Sequence, residues 1–123
     1  MYVNPYENVK ETGSWLRANF HTHAGTGKGT CGAYDIEEVV SLYREAGYNL
    51  LTISNHDFYS DVSEYAKQDK IVLINGFEYS PSNHMLCIGV NQLITGEHQK
   101  VIDETRKQGG FVILCHPNWQ NPR

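Results

Sequence analysis

Short apolar runs alternate along this chain with segments whose apolar positions repeat at helical spacing. Four nearly continuous apolar runs are typical of strands buried on both faces of a parallel sheet: residues 49–54, 71–75, 85–90 and 111–115. Residues 17–23 alternate between apolar and polar positions instead, which predicts a fifth strand with His21 and His23 on one face. The hydrophobic pattern therefore predicts five strands.

Two segments between these strands carry the signals of amphipathic helices. Asp35 and Glu38 form a capping-box pattern, and apolar residues then repeat at helical spacing as far as Gly47, a natural C-terminal stop. A polar helix is predicted over about 96–107, and a weaker helix over 61–69. The elements thus alternate between strand and helix along most of the chain.

This alternation predicts an α/β fold built from parallel β/α units. A complete (β/α)₈ barrel needs about 250 residues, whereas this sequence has 123. Two architectures remain open: an open α/β sheet, or the N-terminal part of a barrel with its C-terminal motifs missing. No linker or shift in composition divides the sequence, so residues 1–123 are expected to form a single domain.

Composition narrows the classes of function. The net charge of -4, with 40% hydrophobic and 20% charged residues, is that of a soluble globular protein. This balance does not favour nucleic acid or an anionic membrane as a partner. No apolar run is long enough to span a membrane, and the N-terminal segment has no signal-peptide core. Three cysteines without paired spacing argue against a disulfide framework and favour a reducing compartment. We therefore expect a cytoplasmic location.

Histidines recur at the ends of the predicted strands. The side chains placed there, together with one carboxylate, are His21, His23, His56, Glu78, His84 and His116. The carboxyl ends of parallel strands meet at one edge of a sheet, so most of these side chains should converge. His84 fits less well because it precedes its strand. Imidazole and carboxylate form the ligand set of zinc, iron and manganese, which predicts a metal-dependent hydrolase.

Two further residues are candidates for a part in the chemistry. Asp57 is the candidate catalytic residue, because its carboxylate could orient a water molecule or accept a hydrogen bond from His23 or His56. Lys28 lies in a glycine-rich loop at 24–32 and is a candidate contact for an anionic substrate. The string GTGKGT is not a phosphate-binding P-loop, because glycine rather than serine or threonine follows the lysine.

Taken in order, these motifs resemble the PHP (polymerase and histidinol phosphatase) family over residues 17–117. The matching features are His-Thr-His after the first strand, the helix DIEEVV, and the segments LLTISNHD, GFEYS, HMLCIGV and ILCHP. The resemblance implies a distorted (β/α)₇ TIM-like barrel, incomplete in this chain, that holds two or three divalent ions of zinc, manganese or iron. It also implies hydrolysis of a small phosphorylated substrate by a metal-activated water.

The resemblance also implies three ligand groups: His21 and His23 with Glu78, then Glu78 with His84 and His116, and finally His56 for a third ion. The sequence departs from the family pattern at two points. Cys31 stands where many members carry aspartate or histidine, and the late Asp-x-His motif of the family is missing. Whether Cys31 is a ligand stays open at this point.

These departures leave two alternatives to a phosphoesterase. The chain could be a non-catalytic or truncated metal-binding fragment, or a metal hydrolase that acts on an amide or a carboxylic ester. An unclosed sheet would also expose an edge and an apolar inner face, so self-association through the open barrel edge is expected.

Overall fold

A computed structural model describes residues 4, 6–7, 13–66 and 71–119. Their core is a five-stranded sheet whose strands lie side by side in chain order. The elements are β1 (Ala18–Asn19), α1 (Ile36–Glu45), β2 (Leu50–Ile53), a 3₁₀ turn (Ser63–Tyr65), β3 (Val72–Tyr79), β4 (Met85–Ile88), α2 (His98–Lys107) and β5 (Phe111–Leu114). Neither helix in this part of the chain is long and apolar enough to cross a membrane.

The direction of β4 differs from the prediction. Strands β1, β2 and β3 are parallel to one another, whereas β4 runs antiparallel to both β3 and β5. Only residues 80–84 join β3 to β4, and a parallel crossover needs about a dozen residues or more. The prediction of uniformly parallel β/α units is therefore wrong for β4, because a buried antiparallel strand shows the same continuous apolar run.

Strand β3 extends further than the apolar run at 71–75 indicated. It continues to Tyr79, so Glu78 lies within the strand, where it pairs with Leu86 of β4, and not beyond it. Phe77 and Tyr79 pack into the cluster beneath α2, and alternation along the strand directs Glu78 to the opposite, inner face. A fully buried charged residue thus lies within β3, between two buried aromatic residues.

Two other predicted elements are shorter than expected. Regular pairing of β1 ends at Asn19, whose side-chain oxygen accepts a hydrogen bond from the backbone N–H of His21 at 3.0 Å. The segment predicted as a helix over 61–69 contains a 3₁₀ turn at 63–65, and residues 67–70 lie outside the described part of the chain. His21 and His23 therefore extend from an irregular segment and not from a regular strand.

The two helices cover the outer face of the sheet. Helix α1 packs Val39 and Val40 against Leu51 and Ile53 of β2, and each such fully buried side chain contributes about 1.5–3 kcal/mol. Helix α2 covers β3 and β4 in a second cluster. Asp35 is the N-cap of α1 and accepts a hydrogen bond from the Glu38 N–H at 2.9 Å, so the predicted start of this helix is confirmed.

A third apolar cluster lies on the inner face and shows that the sheet is curled. It joins Leu86, Ile88 and Cys115 to side chains from both ends of the sheet. Phe20, just after β1, meets Phe111 of β5 edge-on with ring centroids 5.6 Å apart. Strands β1 and β5 are the two edges of the described sheet. The result is a half-barrel with one rim. The carboxyl ends of β1, β2, β3 and β5 and the amino end of β4 lie at this rim.

The loop at 24–32 folds back onto the backbone at the start of that rim, and Gly32 lies at the point of contact. A Cβ atom added to Gly32 would stand 2.4 Å from the Cα of Ala24. We expect Gly32→Ala to lower the free energy of unfolding by about 1–3 kcal/mol, because the backbone must shift to admit the methyl group. Urea denaturation of the two proteins measures this difference.

Gly27→Ala is the matched control in the same loop. A Cβ atom at Gly27 would meet nothing within 4 Å, so its free energy of unfolding should stay within about 0.5 kcal/mol of the wild type. Equal destabilisation by the two substitutions would contradict the close approach at Gly32.

Candidate metal centre

The centre of the rim is the carboxylate of Glu78, whose side chain has no exposed surface. Five of the six histidines in the sequence contact it. Around Oε2 lie His21 Nε2 at 3.0 Å, His23 Nε2 at 3.1 Å and His56 Nδ1 at 3.2 Å. Around Oε1 lie His84 Nδ1 at 2.6 Å and His116 Nε2 at 3.1 Å. All six residues predicted as metal ligands are therefore neighbours.

The chain direction explains how distant residues reach one carboxylate. His56 follows β2 and forms an isolated parallel bridge with Glu78, and His116 follows β5. His84 precedes β4, but β4 is antiparallel to β3 and β5, so its first residue lies at the rim where those strands end. The position of His84 before its strand, which did not fit a parallel sheet, is the position that brings it to Glu78.

A buried amide ties the first two histidine segments together. The side chain of Asn55 accepts a hydrogen bond from the Ala24 N–H at 3.1 Å and donates one to the Ala24 carbonyl at 2.7 Å. It also donates to Ser60 Oγ at 3.2 Å. Asn55 was not predicted as part of the site. The sequence signal that could have identified it is a polar amide side chain at the end of a buried strand, directly before His56. Asn55 fixes the backbone that carries His23.

Asp57 and Ser80 organise the adjacent loops. Asp57 Oδ1 accepts a hydrogen bond from the Ser80 N–H at 2.8 Å, and the Asp57 N–H donates to the Glu78 carbonyl at 2.8 Å. Ser80 Oγ in turn lies 2.7 Å from His56 Nδ1. Asp57 takes a left-handed φ of 48°, a conformation that aspartate adopts more readily than most residues. Orientation of a water molecule by Asp57 stays a prediction.

A cavity of about 660 Å³ opens above the carboxylate. Its walls include His21, His23, His56 and His116 together with Trp119. The Trp119 indole packs edge-on against His84 and His116, with ring centroids 5.2 Å and 4.7 Å apart. Trp119 was not among the residues predicted for the site, because nothing in its local sequence distinguishes it from an ordinary surface tryptophan.

Opposing effects determine the charge on Glu78. Burial by itself raises the pKa of Glu78, but hydrogen bonds from His23 and His84 and the charges of His56 and His21 outweigh it. The net pKa lies well below the ordinary value, so the carboxylate is ionised. The same hydrogen bond raises the pKa of His23, against the effect of burial. Burial and the Glu78 charge raise the pKa of Cys115 to about 12, which keeps this thiol protonated.

The donor set fits divalent cations. Several groups of three side chains place their ligand atoms within 4.8 Å of one another, including His21–His23–Glu78 and His56–Glu78–His84. His21 Nε2 and His23 Nε2 face each other at 3.2 Å. Two imidazole nitrogens this close, with a carboxylate oxygen beside them, can ligate one divalent cation, and a carboxylate can bridge two such ions. Which residues ligate, and how many ions bind, stay predictions.

Three further residues with polar or charged side chains do not contact Glu78 within the described part of the chain. His98 is outside the centre: its Nε2 lies 3.0 Å from Ser82 Oγ and its ring packs against Tyr79. Lys28 is exposed in the glycine-rich loop, and its contact with a substrate stays a prediction. Cys31 is also exposed, but its Sγ lies 2.9 Å from His23 Nδ1.

Comparison with known proteins gives a likeness in fold. The sequence matches no protein-family model and no curated protein. The structure is similar to the crystal structure of a two-domain protein from Bacteroides vulgatus that contains a predicted PHP-like metal-dependent phosphoesterase. The TM-score is 0.53 and the sequence identity 20%, over 85% of this chain and 34% of that one. This chain thus spans about a third of that protein's length.

The raised pKa of His23 predicts opposite pH dependences for stability and for metal binding. Protonated His23 donates to Glu78 only in the folded protein. This stabilisation of the metal-free protein is complete below the ordinary pKa of 6.5 and is lost as the pH rises through the raised value. A metal ion requires the neutral ring, so the apparent zinc affinity should increase over the same interval.

Urea unfolding of the metal-stripped protein at about pH 6 and about pH 8 measures the first effect. Zinc titration calorimetry in two buffers of different ionisation enthalpy measures the protons released on binding. Glu78→Gln removes the partner carboxylate and should diminish the difference in stability between the two pH values. A zinc affinity that does not change with pH over this interval would contradict the prediction that zinc binds the neutral ring of His23.

Proposed function

We propose that this chain forms the metal-binding part of a PHP-type phosphoesterase that hydrolyses a small phosphate ester. The observation that carries the proposal is one fully buried carboxylate in contact with five imidazoles at the rim of a curled sheet. The ordered family-like motifs and the likeness in fold to a protein with a PHP-like domain support it. The two alternatives, a non-catalytic metal-binding fragment and a hydrolase of amides or carboxylic esters, are distinguished by the substrate measurements described below.

The arrangement of the six residues supports a centre with two sides. Glu78 is ionised and presents one oxygen to each side. His21 and His23 would hold an ion with Oε2, whereas His84 and His116 would hold one with Oε1. His56, which lies between Ser80 and Oε2, would serve the Oε2 side or a third ion. This imidazole and carboxylate set accepts zinc, manganese and iron.

Bound divalent ions would supply a water of lowered pKa and would neutralise the phosphoryl oxygens. The chain's own residues prepare the place for this chemistry. Asn55 and Ser80 fix the histidine segments, and Trp119 with the neighbouring Pro117 encloses one side of the cavity. An exposed Lys28 is available to contact the substrate anion, and Asp57 to orient the water.

Substitution of Glu78 tests the proposal directly. Glu78→Gln removes the charge that both sides of the centre share, so divalent metal affinity should fall by more than the 10–100-fold typical of lost outer-sphere partners. His98→Gln is the matched control, because His98 is the one histidine outside the cluster. Metal analysis of both variants and the wild type, purified without added metal, gives the stoichiometry.

Hydrolysis is then measured on p-nitrophenyl phosphate, a phosphate bis-ester, a carboxylic ester and an amide. We expect phosphate ester hydrolysis that is lost in Glu78→Gln and kept in His98→Gln. Turnover of the amide or carboxylic ester alone would favour the other class of hydrolase. Two or more bound ions without any turnover would favour a non-catalytic fragment. Equal metal binding by Glu78→Gln and the wild type would contradict the proposed centre itself.

A further inference from the structure

We propose that Cys31 is a positioning residue of the metal centre, whose sulfur accepts a hydrogen bond from His23 Nδ1 and thereby directs the lone pair of His23 Nε2 toward the ion beside Glu78. This inference rests on the proposed function, because it presupposes that the centre binds an ion. It goes beyond that function by assigning a role to a cysteine that the ligand set does not use.

The two ring nitrogens of His23 have different surroundings. Nε2 lies 3.1 Å from Glu78 Oε2 and 3.2 Å from His21 Nε2, so it faces the proposed ion. Nδ1 lies 2.9 Å from Cys31 Sγ. A neutral imidazole carries one N–H and one lone pair. When Nε2 offers its lone pair to an ion, the proton must reside on Nδ1, where the sulfur is the available acceptor.

Direct ligation by Cys31 is the competing interpretation. His23, Cys31 and His56 do place donor atoms within 4.8 Å of one another. The His23 nitrogen nearest the sulfur is Nδ1, and a neutral ring has a single lone pair, so a cation bound through Nδ1 would compete with the ion proposed beside Nε2. Without His23 that group retains only two donors, fewer than the three or four protein ligands usual for zinc.

The fold holds the sulfur in place for this contact. Cys31 Sγ also lies 3.7 Å from Asn55 Oδ1, the atom that accepts the Ala24 N–H. The next residue, Gly32, donates its backbone N–H to the Gly25 carbonyl at 3.2 Å. Carboxylates and carbonyls usually occupy this position behind a metal-binding histidine. In this chain a sulfur atom takes the same place.

Zinc affinity, measured by competition with a chromophoric chelator, tests the assignment in three variants. Cys31→Ala should lower the affinity about 10–100-fold, whereas Cys31→Asp, which restores an acceptor for Nδ1, should regain most of it. Thr26→Ala is the control, as another exposed residue of the same loop, and should bind like the wild type. A Cys31→Ala protein that binds zinc as tightly as the wild type overturns the inference.

Cobalt substitution separates a positioning role from ligation. The cobalt-loaded wild type should lack a sulfur-to-cobalt charge-transfer band in the near-ultraviolet. Such a band, present in the wild type and lost in Cys31→Ala, would make Cys31 a ligand and overturn the inference. A wild type that binds no divalent ion would instead overturn the proposed function, and this inference with it.

Should Cys31→Ala fail to fold, alkylation of the folded wild type replaces it. Cys31 is exposed, whereas Cys87 and Cys115 are buried, so a small alkylating reagent should modify Cys31 selectively. The added group should push the sulfur away from its 2.9 Å contact with His23 Nδ1 and should lower the zinc affinity by a similar factor. Unchanged zinc affinity after complete modification of Cys31 would overturn the inference.

Discussion

The charge of Glu78 is the constraint on which the rest of the structure depends. A fully buried carboxylate is costly unless charged or polar groups compensate it, and here five imidazoles do so. Those imidazoles come from segments that follow or precede four different strands, so the whole half-barrel must form before the charge is fully compensated. The inner face of the sheet thus supports a polar cluster at its rim and an apolar cluster below it.

Much of this arrangement could be predicted because buried strands and amphipathic helices leave clear periodicities. Strand β2, helix α1 with its Asp35 cap, and the end of helix α2 at Lys107 lie where the sequence placed them. The direction of β4 could not be predicted, since apolar periodicity is the same for parallel and antiparallel buried strands. The extension of β3 to Tyr79 was missed because its buried Glu78 resembles a strand end.

The residues that support the histidines could not be predicted from the sequence either, for a different physical reason. Asn55, Ser80 and Trp119 act through contacts with residues far away in the chain or with neighbouring rings. The type of a residue does not reveal such contacts. Histidine and glutamate, in contrast, are recognisable as possible metal ligands at any position in a sequence. The same limit applied to Cys31, whose sulfur has a partner only once the loop closes on His23.

The short connection between β3 and β4 has a consequence for how the centre assembles. Glu78 and His84 are 6 residues apart, whereas Glu78 and His21 are 57 apart. By the logarithmic dependence of loop entropy on length, closing the longer loop costs about 2 kcal/mol more. The hairpin can therefore bring His84 to Glu78 early during folding, whereas His21 and His23 reach Glu78 only when the distant first strand docks. One contact of the centre, between Glu78 and His84, is thus a local property of a hairpin, and the contacts with the other histidines report completion of the tertiary fold.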